Sequence, residues 1–237
     1  MTETAGRPRP GEGRGALPVA MAALTVTTGV VEAVSFLVLG PVFTSVQTGN
    51  LLLLGFSLAG QGGLSPAAST ASLGGFVVGA VLGSRFESGA DARGRRWLAA
   101  GLVAEAVLLA VGAAVSWGIG GTGAPLTARH YAVAAIVAVA MGMRNITTLR
   151  AKVPDLPTTV ATRALTGLLG GSPLAVDSRI SSDAPSQLRR TATVGAMFAG
   201  GLLGAWALRE GLRPHVVLLA AAGGVLLVAA GHAVRRP

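Results

Sequence analysis

Three ionisable side chains stand inside stretches that are otherwise apolar: Glu32, Glu105 and Arg144. A charge at bilayer depth is costly and usually marks a solute pathway, a proton relay or a structural clamp. Two further segments are rich in hydroxyl and amide groups. One is Val42–Gly60, with Thr48, Gly49 and Asn50 at its centre, and the other is Thr158–Leu169, with Thr158, Thr159 and Thr162. Glycine lets the backbone take unusual angles and come close to a partner. Asn and Thr side chains can satisfy backbone groups freed by a helix break, or coordinate a solute. Plain helix capping and interhelical hydrogen bonding serve the same residues equally well. Asn145, next to Arg144, completes the candidate set. The expected pairing is Glu32 with Arg144, either as a clamp or in solute or proton handling. Glu105 either takes Arg144 instead or is a protonated carboxyl bonded to a neighbouring helix.

Membrane helices must position these groups. The chain has 237 residues, of which 51% are hydrophobic and only 12% charged, and its mean hydropathy is +0.63. That charge share is about half of the usual ~25% for a soluble domain. From Ala33 to Ser84 no Asp, Glu, Lys, Arg or His occurs. Further apolar runs are Trp97–Trp117, Tyr131–Thr148, Thr191–Leu208 and Pro214–Val234, and a first one runs from about Ala16 to Leu39. A crossing needs about 20 such residues. With no cysteine in the chain, disulfide scaffolds and thiolate metal sites are excluded. His130, His215 and His232 lack metal-ligand spacing, and no nucleophile elbow, HExxH or P-loop pattern occurs. No cofactor, metal or enzymatic activity is expected. The net charge of +9 reads as membrane topology rather than nucleic-acid binding.

The chain repeats itself. Gly29-Val-Val-Glu-Ala-Val-Ser35 matches Gly142-Met-Arg-Asn-Ile-Thr-Thr148, so Glu32 aligns with Asn145. Gly79 and Gly83 match Gly200 and Gly204 at a second constant spacing, and Trp97–Val115 matches Val216–Val234. The expected parts are a disordered tail (1–15), a first membrane repeat (16–117), a linker (118–130), a second repeat (131–234) and a basic end (235–237). If both Thr-rich segments crossed the membrane, the loop holding Arg85, Arg93, Arg95 and Arg96 would lie outside, against the positive-inside rule. If both are broken or re-entrant, six spans remain. Fifteen of the 19 basic residues then lie inside; Arg129, Arg209 and Arg213 lie outside, and Arg144 lies within the membrane. The fold class is therefore an all-α polytopic bundle of about six spans plus two short broken or re-entrant segments. Three spans per half make the repeat inverted, an arrangement recurrent in transporters. The two Thr-rich segments are expected to meet near the pseudo-twofold axis and frame a polar cavity, with Asn50 close to Thr162.

With these motifs assembled, the chain resembles the DUF1275 family of bacterial membrane proteins, also called YoaK-like or UPF0700. The resemblance is carried by Gly29–Phe36, Phe43-Thr-Ser-Val-Gln-Thr-Gly-Asn50-Leu, Met141-Gly-Met-Arg-Asn145, and Thr158-Thr159-Val-Ala-Thr162 with Leu165-Thr166, and it spans roughly Leu17 to Val234. The family typically has Asp where this chain has Glu32, and Gln where it has Arg144. The resemblance implies a polytopic membrane protein and assigns no functional residues.

The expected function is a small secondary transporter or permease in the bacterial inner membrane, with both termini cytoplasmic. The alternative is a non-transporting regulator or assembly partner. Expected partners are the lipid bilayer and a small solute or proton, without nucleic acid. The ridges Gly75, Gly79, Gly83 and Gly200, Gly204 serve packing within the chain or a homodimer seam.

Overall fold

The computed structural model describes residues 16–151, 161–172 and 181–234. Every regular element among them is a helix: α1 (Ala16–Leu37), α2 (Gln47–Leu58), α3 (Pro66–Ala92), α4 (Trp97–Val115), α5 (Ala128–Ala151), α6 (Ala161–Gly170), α7 (Ala184–Arg209) and α8 (Pro214–Val234). Six are long and apolar enough to cross a membrane. The other two, α2 with 12 residues and α6 with 10, fall well short of the ~20 that a bilayer requires.

Local chemistry sets the boundaries. Ser65 caps α3 by accepting the Ala68 N–H at 3.3 Å, and Pro66 follows in the first turn. Asp183 caps α7 by accepting the Ser186 N–H at 3.1 Å, again with a proline in the first turn. Side-chain oxygens there satisfy orphan donors, and proline lacks the N–H that would need one. The hydroxyls of Ser181 and then Ser186 hold the Asp183 carboxyl down to about 2. Two helices outrun their apolar cores. The third helix continues past Arg85 to Ala92, where Gly94 (φ 67°) turns the chain. The seventh starts at Ala184 rather than Thr191. A charged helix end snorkels to the interface, so charge alone does not end a helix.

Contacts fix the helix directions. Gly75, Gly79 and Gly83 of α3 face Ala135, Val139 and Met143 of α5 in the same order, so these two helices are parallel. Gly200 and Gly204 of α7 face Val26 and Val30 of α1, again in parallel. Helix α4 is antiparallel to α5, with Gly101 beside Thr147 and Gly112 beside Val137. It is also antiparallel to α8: Arg96 bonds the Ala233 carbonyl at one end, and Trp117 stacks near His215 at the other. Leu17 shares a groove with His232 while Thr27 touches Gly224, so α1 opposes α8. Helices α1, α4 and α7 therefore point one way and α3, α5 and α8 the other. Among the described residues, Arg93, Arg95, Arg96, Arg150, Arg189 and Arg190 gather at one end of the bundle, and Arg129, Arg209 and Arg213 at the other.

Close packing between the two halves follows the same pattern twice. A Cβ on Gly29 would run into the backbone of Met197, Gly200 and Gly201; one on Gly142 would run into Phe76, Gly79 and Ala80. These triplets correspond through the two spacings that align the halves in sequence. The glycine ridges thus pack inside the chain, where small residues let helix backbones touch. The core is built mainly from α1, α4, α5 and α8. Large apolar side chains such as Val77, Val81, Phe198, Leu202 and Leu227 remain exposed. Many exposed large apolar side chains on membrane-length helices suit lipid and not water.

Candidate functional site

After Leu37 the chain turns over near Gly40 (φ 106°) and returns along α1 without regular structure as far as Val46. This return brings Thr44 and Ser45 to Glu32. The carboxylate accepts the Thr44 N–H on both oxygens (3.2 and 3.1 Å), the Ser45 N–H (2.6 Å), the Thr44 hydroxyl (3.1 Å) and the Ser35 hydroxyl (3.3 Å). Thr44 and Ser45 lead directly into α2, whose N-cap Val46 has no capping side chain. Glu32 therefore anchors the two residues that lead into α2 and places an anion near the positive end of the helix dipole.

Asn50 completes the break. Its Oδ1 accepts the Phe43 N–H at 2.9 Å, and its Nδ2 donates to the Phe43 carbonyl, to Gln47 Oε1 at 2.7 Å and to Ser72 Oγ at 3.1 Å. Ser72 in turn donates to the Phe43 carbonyl at 2.6 Å. Unpaired backbone groups at membrane depth need such partners. Asn50 is fully buried. Gly49 lies close against the Cδ2–Cε2 side of the Phe43 ring, and Thr48 is exposed.

Arg144 does not reach Glu32. Its guanidinium binds Glu105, with Nε donating at 2.8 and 2.9 Å and Nη2 closing the ion pair. Nη1 donates to the hydroxyls of Thr27 and Thr28, each at 2.9 Å, and to the Leu24 carbonyl. Both charged side chains are wholly buried, and the group joins α1, α4 and α5. The expected Glu32–Arg144 pair fails for two physical reasons. Helix α4 packs directly along α5 and offers Glu105 midway along its length. The re-entrant amides have already taken Glu32. Asn145, the counterpart of Glu32 in the second half, donates to the Met141 carbonyl at 3.0 Å.

Helix α6 runs back along the first half of α7, with Gly167 beside Arg190 and Gly171 beside Gln187. It leaves the second half of α7 uncovered. A cavity of about 480 Å³ opens there between α1, α7, the start of α6 and the approach to α2. Its lining includes Glu32, Thr162, Phe36, Phe43, Val46 and Met197. Among the described residues the lining of the expected polar cavity is mostly apolar, with Glu32 and Thr162 as its polar side chains. Asn50 does not line it, because the amide is consumed by Phe43 and α3. Among the described residues α2 and α6 do not pack on each other; they share the cavity only through their approaches. Thr158 and Thr159 lie outside the described residues.

Glu87 is a further buried carboxylate. It accepts the Thr147 hydroxyl and faces Arg150 at 3.5 Å. Arg150 also binds Asp91 at 3.0 Å and lies 4.9 Å over the Trp97 ring. The sequence signal for Glu87 is its spacing: it continues the four-residue ladder of Gly75, Gly79 and Gly83 that faces α5. Among the described residues no cluster of three His, Asp or Glu side chains forms a metal site.

Six membrane-length apolar helices and two short ones among the described residues, with lipid-suited outer faces, define an all-helical polytopic membrane protein. The chain belongs to the DUF1275 family, described as "Protein of unknown function", whose model matches residues 20–231. No curated protein and no solved structure matches it.

Proposed function

We propose that the chain is a small permease or secondary transporter, not an enzyme, with two halves forming an inverted repeat of three spans each. It sits in a bacterial cytoplasmic membrane with the arginine-rich end and both termini in the cytoplasm, following the positive-inside rule. The observation that carries this reading is the half-length helix α6, which leaves a cavity beside a carboxylate inside the membrane. The glycine contacts that recur between α1–α7 and α5–α3, two helix pairs of opposite direction, support the repeat. Broken helices at a repeat interface are where secondary transporters bind their solutes.

The test is solute uptake by purified protein in proteoliposomes, compared with Gly201→Leu. Gly201 lines the cavity, and a Cβ there meets nothing within 4 Å, so the leucine enters the cavity without a backbone clash. Uptake by the wild type with loss in a folded Gly201→Leu variant is expected; equal uptake by both contradicts the reading. The sealed Arg144–Glu105 group favours the second reading, a static membrane regulator or assembly partner, because it ties three helices of both halves together.

A further inference from the structure

We infer that the cavity beside Glu32 takes an amphiphilic organic cation, an ammonium group on an apolar body. The inference deepens the transport reading and rests on it for the cavity's role as a solute site.

The first ground is charge. Among the described residues every partner of Glu32 is a neutral donor, either a backbone N–H or a hydroxyl. Among the described residues no Lys, Arg or His pairs with it, and the one cation in the middle of the bundle is held by Glu105. Neutral donors stabilise a carboxylate but leave its net charge at the cavity wall. Apolar surroundings screen that charge poorly, so it attracts a cation strongly. An anion would be repelled, and a neutral solute would leave the charge unpaired.

The second ground is the wall itself. Phe36 and Phe43 both line the cavity and stack with centroids 5.1 Å apart and planes at 28°. The stack leaves Phe36 40% exposed, and a free aromatic face draws an ammonium group through its quadrupole. The third ground is size. The cavity, of about 480 Å³, falls in the ~300–1,000 Å³ range typical of sites for small organic molecules. A bare metal cation instead needs several oxygen ligands, whereas among the described residues Glu32 and Thr162 are the polar side chains of the lining.

The experiment is calorimetric titration of the purified full chain in detergent with benzyltrimethylammonium and with its uncharged carbon isostere, neopentylbenzene. Saturable binding of the cation is expected. The isostere should bind at least about tenfold more weakly, as should the cation to Glu32→Gln, since about 1.4 kcal/mol of charge and cation–π attraction is one decade. Gly201→Leu should lose the cation with Glu32 intact, and it decides the matter if Glu32→Gln does not fold. Equal binding of the isostere, unchanged binding by either variant, or no saturable binding of the cation overturns the inference. Binding without counterflow of the same cation in proteoliposomes overturns transport and leaves the site standing. Counterflow of the cation that is indifferent to Glu32→Gln overturns the cation site and leaves transport standing.

Discussion

Glu105 and Glu32 are both carboxylates buried among membrane helices, and their surroundings differ in kind. Glu105 meets a full opposite charge, and the guanidinium that meets it spends its remaining donors on α1. Among the described residues Glu32 meets only dipoles: the amides ahead of α2 and two hydroxyls. The first arrangement is closed in charge and in space. The second is closed in hydrogen bonds but open in charge, and it borders a cavity. A buried pair of charges fixes a structure, whereas a carboxylate held by dipoles alone can hold its place and still act on a ligand.

The sharpest way to break this contrast is to remove one member of the closed pair. Glu105→Gln or Arg144→Leu should each cost roughly 3–5 kcal/mol, because each leaves a buried charge or its donors uncompensated. The double variant Glu105→Leu with Arg144→Met should recover part of that loss, measured by denaturant unfolding in mixed micelles. A double variant no more stable than the worse single one would show that the two charges are not coupled. A smaller effect is expected at the open site. Glu32→Gln keeps one good acceptor for the Ser45 and Thr44 amides and turns an NH₂ toward the other donor, a loss of about 1–3 kcal/mol. If Glu32→Gln proved as destabilising as Glu105→Gln, the carboxylate would be a clamp like its counterpart, and the contrast would fail.

The spans were legible in the sequence because a bilayer imposes a length and a composition, and Trp97–Val115 and Pro214–Val234 match the apolar runs closely. The breaks were legible from short, hydroxyl-rich segments that fit the arginine pattern poorly as crossings. Partner choice was not. Whether Arg144 finds Glu32 or Glu105 depends on which helices pack side by side, and a chain read in one dimension does not state that. The role of Asn50 was open for the same reason, since its partners Phe43 and Ser72 lie on separate elements. Glu87 could have been found, because its four-residue spacing from Gly83 places it on the face that meets α5.

Underlying the whole account is the opposite insertion of the two halves. The chain has no cysteine, so single cysteines can report each side of the membrane without background. Gln61 lies between α2 and α3, and Ser182 lies at the matching place between α6 and α7, both exposed. Labelling of Gln61→Cys and Ser182→Cys in intact cells by a membrane-impermeant maleimide tests the arrangement directly. The account predicts that Gln61→Cys is labelled from outside and that Ser182→Cys is labelled only after the cells are opened. Labelling of both positions from the same side would contradict it.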